Sequence, residues 1–124
     1  MSEIIDLKVF VPSRDFQLAK AFYADLGFAL NWENDQLAEL QIGQFRFLLQ
    51  DFYEEQLAAN LMLQLQVSDT AIWWDVICES ALVERYENVR AKGPELQPWG
   101  QRVLYLWDPS GVLWHIVEPL ESNA

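Results

Sequence analysis

Helix openers, apolar stripes and hairpin glycines follow one another in the same order twice along this chain, and that repetition limits the possible folds more than any other feature. Ser13 can cap the first helix and Ser68 or Asp69 the second, Asp15 and Asp69 open the two helices, and Gly43 and Gly111 stand where a last hairpin turns. The first half reads as a strand over residues 7–11 closed by Pro12, followed by a helix carrying Phe16, Ala19, Phe22, Tyr23 and Leu26 at helical spacing up to Gly27. Three short strands follow, over residues 28–32, 36–42 and 44–50. In the second half, residues 61–67 alternate apolar and polar side chains, as a strand does. A helix with Ile72, Trp73, Val76 and Ile77 on one side comes next, continuing less regularly through Leu82, Val83 and Tyr86. A short strand near residues 89–92 ends at Gly93-Pro94, and strands over 102–107 and 112–118 are joined by Asp108-Pro109-Ser110-Gly111.

The expected fold is therefore α+β, with two βαβββ modules and mixed, curved sheets. Module one covers about residues 1–50, an acidic connector 51–60 and module two about 61–120, within one domain, because 124 residues are too few for two independent cores. One helix covers only one face of a four-stranded sheet. The other face is left for a ligand, another sheet or a partner chain.

Charge and cysteine usage narrow the function. A formal net charge of -11 repels phosphate backbones and anionic lipid and attracts cations, which argues against a nucleic-acid partner. The longest apolar runs are far too short to span a bilayer, and acids occupy the N-terminal positions where a signal peptide carries basic residues, so a cytoplasmic protein without a membrane partner is expected. Cys78 is the one cysteine; it has no partner for an internal disulfide and is expected to be a buried thiol.

Certain short stretches are more specific. Val11-Pro12-Ser13-Arg14-Asp15-Phe16 with Ala21-Phe22-Tyr23 and Leu26-Gly27-Phe28, then Pro94-Glu95-Leu96-Gln97-Pro98-Trp99-Gly100 with Asp108-Pro109-Ser110-Gly111, resemble the glyoxalase, bleomycin-resistance and extradiol-dioxygenase superfamily, and most closely its bleomycin-resistance branch. The resemblance covers nearly the whole chain and implies paired modules enclosing a cleft, usually in a homodimer. Metal enzymes of that superfamily hold a divalent ion with His, Glu or Gln from the first and last strand of each module. Counting from the helix-opening aspartates and hairpin glycines puts Lys8, Met62, Phe47 and His115 there, and only His115 can ligate. The resemblance then implies no metal, no cofactor and no catalytic residue.

The ligand-binding candidates are Trp32, Leu37, Phe47, Tyr53, Trp99, Arg102 and His115. Trp99 matches the tryptophan of the resistance motif, and Leu37 stands where resistance proteins usually carry an aromatic, a departure that weighs against bleomycin itself. If the last hairpin turns over four residues, Leu106 faces Leu113, Leu104 faces His115 and Arg102 faces Val117 at the cleft, while Tyr105, Trp107, Trp114 and Ile116 form core. Trp73 and Trp74 are expected in the core as well. The function expected is capture of a planar or cationic small molecule without chemistry, as antibiotic-resistance proteins of this type do, in a homodimer. The alternatives are a metal-dependent glyoxalase-type lyase or dioxygenase using Glu39 or Glu118 beside His115, and a module that docks another protein through Trp99.

Overall fold

The computed structural model describes residues 2–119. Module one contains β1 (Phe10–Pro12), α1 (Phe16–Leu26), β2 (Ala29–Glu33), β3 (Leu37–Ile42) and β4 (Phe45–Gln50). A short helix α2 (Glu55–Asn60) occupies the connector. Module two contains β5 (Met62–Gln66), α3 (Thr70–Glu79), α4 (Leu82–Arg85), β6 (Arg90–Leu96), β7 (Gln101–Trp107) and β8 (Leu113–Pro119). Each module forms a four-stranded sheet, ordered β1-β4-β3-β2 and β5-β8-β7-β6, in which the first strand pairs parallel with the last. The sheets are thus mixed and repeat one topology, as the sequence predicts.

The cap of α1 is Asp15 and not Ser13, whose hydroxyl donates to Gln50 O at 2.6 Å and ties the strand end to β4. The Asp15 carboxylate accepts from Leu18 N at 3.1 Å, and Gly27, at φ 123°, donates to Tyr23 and Ala24 to end α1. In α3 the Asp69 carboxylate accepts from Ala71 N. Glu118 adds a second cap, accepting from Thr70 N at 2.9 Å and Thr70 Oγ1 at 3.0 Å, bonds that hold its carboxyl below its ordinary pKa. Glu118 is therefore committed to the helix side of its sheet.

Several boundaries differ from the sequence reading. Hydrogen-bonded β1 begins at Phe10, so Leu7 lies outside it and is exposed. The second helix is two, because Ala81 adopts a left-handed φ of 52° between α3 and α4. Strand β6 runs through Gly93-Pro94 to Leu96, since it is an edge strand and the irregularity between Lys92 and Glu95 absorbs the proline's missing donor. Cys78 lies exposed on α3 instead of buried.

The largest correction concerns the last hairpin. Its pairs are Tyr105 with His115, Leu106 with Trp114 and Trp107 with Leu113, one residue away from the expected pairing. Val112 belongs to the loop: Asp108 N donates to Val112 O at 2.9 Å, the Asp108 carboxylate accepts from Ser110 N and Val112 N, and Gly111 sits at φ 96°. The extra loop residue flips all of β7 relative to β8. Leu104 and Leu106 join Trp114 and Ile116 in the core, and Tyr105 and Trp107 turn to the opposite face with His115.

That core belongs to both modules. Tyr23 of α1 packs its ring against Phe28, Phe47 and Trp114, with centroids 5.4, 5.1 and 5.9 Å away. Its hydroxyl donates to Asp108 Oδ2 at 2.6 Å and accepts from Trp114 Nε1 at 2.9 Å. Burial, then the Asp108 carboxylate, pushes the Tyr23 hydroxyl well above the usual tyrosine pKa, so it remains a donor. A second bridge between modules has Arg85 and Tyr86 donating to Asp25 at 2.8 and 2.5 Å.

Candidate functional site

Each sheet keeps one face free of helices, and strand register assigns its residues. On the first sheet, Leu37 pairs with Gln50, Glu39 with Leu48, Trp32 with Glu39 and Phe10 with Leu48, so these side chains share the helix-free face. Alternation puts Phe47, with Leu40 and Leu49, on the core side, where Phe47 is buried and borders a cavity of about 330 Å³ between β4 and β5.

Beside Phe10, Trp32, Leu37 and Leu48 the helix-free face of the first sheet carries a polar network. Lys8 Nζ meets Glu39 Oε1 at 2.5 Å, Asn31 donates to Glu39 at 2.9 Å and to Gln41 at 2.8 Å, and Arg46 donates to Gln41 and, at 2.7 Å, to Asp6. The hydrogen bond from Lys8, then that from Asn31, holds the Glu39 carboxyl below its ordinary value of 4.5. A lowered carboxyl stabilises the fold above its unfolded pKa, and that contribution is lost as pH falls through the folded value. Glu39→Gln is accordingly expected to flatten the loss of stability below about pH 4.5, read from urea midpoints between about pH 6 and pH 3. An unchanged acid limb would separate Glu39 from that loss.

The second sheet presents aromatic rings on its helix-free face. Tyr105 and Trp107 stack with centroids 6.3 Å apart and an interplanar angle of 27°, and His115 lies edge-on to Tyr105 at 5.0 Å. Register adds Gln64 beside His115, Lys92 beside Tyr105 and Arg90 beside Trp107, with the Arg90 guanidinium 4.3 Å from the Trp107 ring centroid. His115 Nε2 is buried and has no hydrogen-bond partner among the described residues. At the β6–β7 turn, Trp99 is 61% exposed, and its indole donates to Gln101 at 3.0 Å.

The structure thus groups some sequence candidates and separates others. Trp32 and Leu37 share the helix-free face of the first sheet, and His115 that of the second, with Trp99 at the latter's end. Arg102 pairs with Glu118 on the helix side, 3.6 Å from it, and does not share a face with His115. Tyr53 is half-buried against the core, with the Arg14 guanidinium 5.2 Å above its ring. Tyr105, Trp107, Arg90, Lys92 and Gln64 were not among the candidates. The loop residue Val112 was the missing signal: counting it in the turn exposes Tyr105 and Trp107 together.

The donor set can be tested against a divalent metal. Register puts Phe10 beside Leu48 in module one and Gln64 beside His115 in module two, so that of the four counted positions His115 is kept. An ion placed on these strands finds one imidazole, one amide oxygen and two hydrocarbon side chains, which does not fit a metal centre. No group of three or more His, Cys, Asp or Glu among the described residues is arranged to hold an ion. No described helix is long and apolar enough to cross a membrane.

Comparison with known proteins adds a separate line of observation. The family model described as the Glyoxalase/Bleomycin resistance protein/Dioxygenase superfamily matches residues 7–116. A bleomycin resistance protein of Klebsiella pneumoniae is 31% identical over 114 residues, covering 87% of each chain. The crystal structure of a bleomycin resistance determinant encoded on the transposon Tn5 is similar with a TM-score of 0.78 at 27% identity, over 94% of this chain and 100% of that one. A bleomycin-binding protein complexed with bleomycin is similar with a TM-score of 0.76 at 26% identity, over 93% and 98%.

Proposed function

Because the chain belongs to the glyoxalase/bleomycin resistance protein/dioxygenase superfamily, we propose that it captures a planar small molecule on its helix-free sheet faces and holds it without metal chemistry. The observation that carries this reading is the Tyr105–Trp107 stack, a pair of large rings turned away from the core beside an unpartnered imidazole nitrogen. Aromatic surface of this kind binds flat ligands through stacking. The relatives that resist or bind bleomycin support capture over conversion, as does a metal-ligand set reduced to Gln64 and His115. The net charge of -11 favours the approach of cationic ligands over long range.

The proposal includes a homodimer. Ile4, Ile5 and Leu7 of the N-terminal arm are 91%, 94% and 90% exposed. Strand β5 lies at the edge of its sheet, and its sequence Met-Leu-Gln-Leu-Gln has neither a charge nor a proline to guard that edge. A second copy covering arm and edge would remove both exposures and bring sheet faces from two chains together. Light scattering should then give twice the 14.5 kDa chain mass, and Ile5→Asp with Leu7→Asp should shift the protein towards monomer. A monomeric parent protein would refute the dimer.

Ligand capture is tested by fluorescence titration with bleomycin and with planar dyes such as acridine orange, in the presence of EDTA. Binding is expected with the metal removed, and Trp107→Ala should weaken it by about tenfold or more. Binding that requires an added metal, or that Trp107→Ala leaves unchanged, would overturn the reading.

A further inference from the structure

The charge local to the aromatic stack opposes the charge of the molecule as a whole. Lys8, Lys20, Arg46, Arg85 and Arg102 each lie within ion-pair reach of a carboxylate. Arg14, Arg90 and Lys92 have no such partner among the described residues, although the chain carries 19 Asp and Glu; Arg14 lies over the Tyr53 ring, away from the second sheet's aromatic stack. Arg90 and Lys92 project from the edge strand β6 onto the helix-free face of the second sheet, beside Trp107 and Tyr105. The carboxylate on that face of β6 is Glu95, displaced past the bulge to pair with Val103. In an acidic protein, two cations left without a carboxylate on one aromatic face form a local anion site.

We propose that this face binds planar aromatic acids, with the ring on the Trp107–Tyr105 stack and a carboxylate or sulfonate held by Arg90 and Lys92. The proposal rests on the capture reading above and adds the charge of the ligand group that this face recognises. Arg90 lies over Trp107, an arrangement that leaves the edges of its planar guanidinium free to donate to an anion. Lys92, next along the same edge, supplies a mobile ammonium that can close on the same group. The negative charge of the remaining molecule does not cancel this contact, because a bound anion is within direct hydrogen-bonding reach while the surface acids are screened over a Debye length of about 8–10 Å.

The test uses three probes with one ring system: anthracene-9-carboxylate, 9-(aminomethyl)anthracene and the neutral 9-anthracenemethanol. They are titrated into the purified full chain and followed by fluorescence. The carboxylate is expected to bind about tenfold or more tightly than the alcohol. In the Arg90→Gln/Lys92→Gln double variant the ratio of carboxylate to alcohol affinity should fall to about one. Both replaced side chains are exposed, and an unchanged melting temperature shows that the variant folds. If the ammonium probe binds as tightly as the carboxylate, or the preference survives in the double variant, the anion site is overturned and planar capture stands. If no probe binds, planar capture falls and the anion site falls with it.

Discussion

Replacing Asp108 by alanine is expected to destabilise the protein by about 3–5 kcal/mol, among the largest losses any single substitution should cause here. Asp108 is fully buried and accepts three hydrogen bonds, from the Tyr23 hydroxyl at 2.6 Å, Ser110 N at 2.8 Å and Val112 N at 3.0 Å. Alanine leaves all three donors without their acceptor in a site closed to water. It also releases the loop that sets the β7–β8 register, and it breaks the link between α1 and module two. Burial pushes the Asp108 carboxyl above its ordinary value, even though Tyr23 and the loop N–H groups favour its charged form. An asparagine side chain keeps the shape and one acceptor oxygen, so Asp108→Asn should lose distinctly less than Asp108→Ala. Urea unfolding of both variants measures the difference, and equal losses would contradict this reading, because the oxygen that asparagine keeps would then hold no part of the loop.

Phe47→Ala is expected to lose about 3–5 kcal/mol, the usual range for removing a buried ring. Phe47 is 4% exposed and stands among Tyr23, Phe28 and Trp114, with ring centroids 5.1, 5.4 and 5.6 Å away. Because it lies on the core side of the first sheet, its removal should lower the urea midpoint while the folded fraction keeps its affinity for planar ligands. A variant as stable as the parent that no longer binds ligand would move Phe47 into the site and contradict the face assignment.

Much of the fold was legible because its punctuation is local. Asp15, Gly27, Asp69 and Gly111 each carry out within a few residues the step that the sequence assigns to them. The places where reading failed depend on information beyond one turn of chain. Whether a five-residue loop replaces a four-residue one rests on the Asp108 carboxylate bonding to Val112 N, which spacing alone does not reveal. Continuation of β6 past Pro94 rests on its being an edge strand, a property of the assembled sheet.

The site was less legible for the same reason. Residue type and position single out His115 and Trp32, and the structure puts both on helix-free faces. A slip of one residue in the hairpin was enough to exchange Tyr105 and Trp107 for Arg102, since each step along a strand reverses the face. Arg90 and Lys92 had no sequence signal at all. Their meaning comes from register, which sets them beside those rings, and from the absence of a carboxylate partner among the described residues.

Planar ligands bound on the aromatic helix-free face of the second sheet should be seen in the indole N–H resonances of the six tryptophans during ligand titration. The Trp107 signal is expected to move most. Trp114, hydrogen-bonded to Tyr23 within the core, should stay in place. A titration that shifts Trp114 or the helix residues Trp73 and Trp74 while Trp107 remains still would contradict binding on that face.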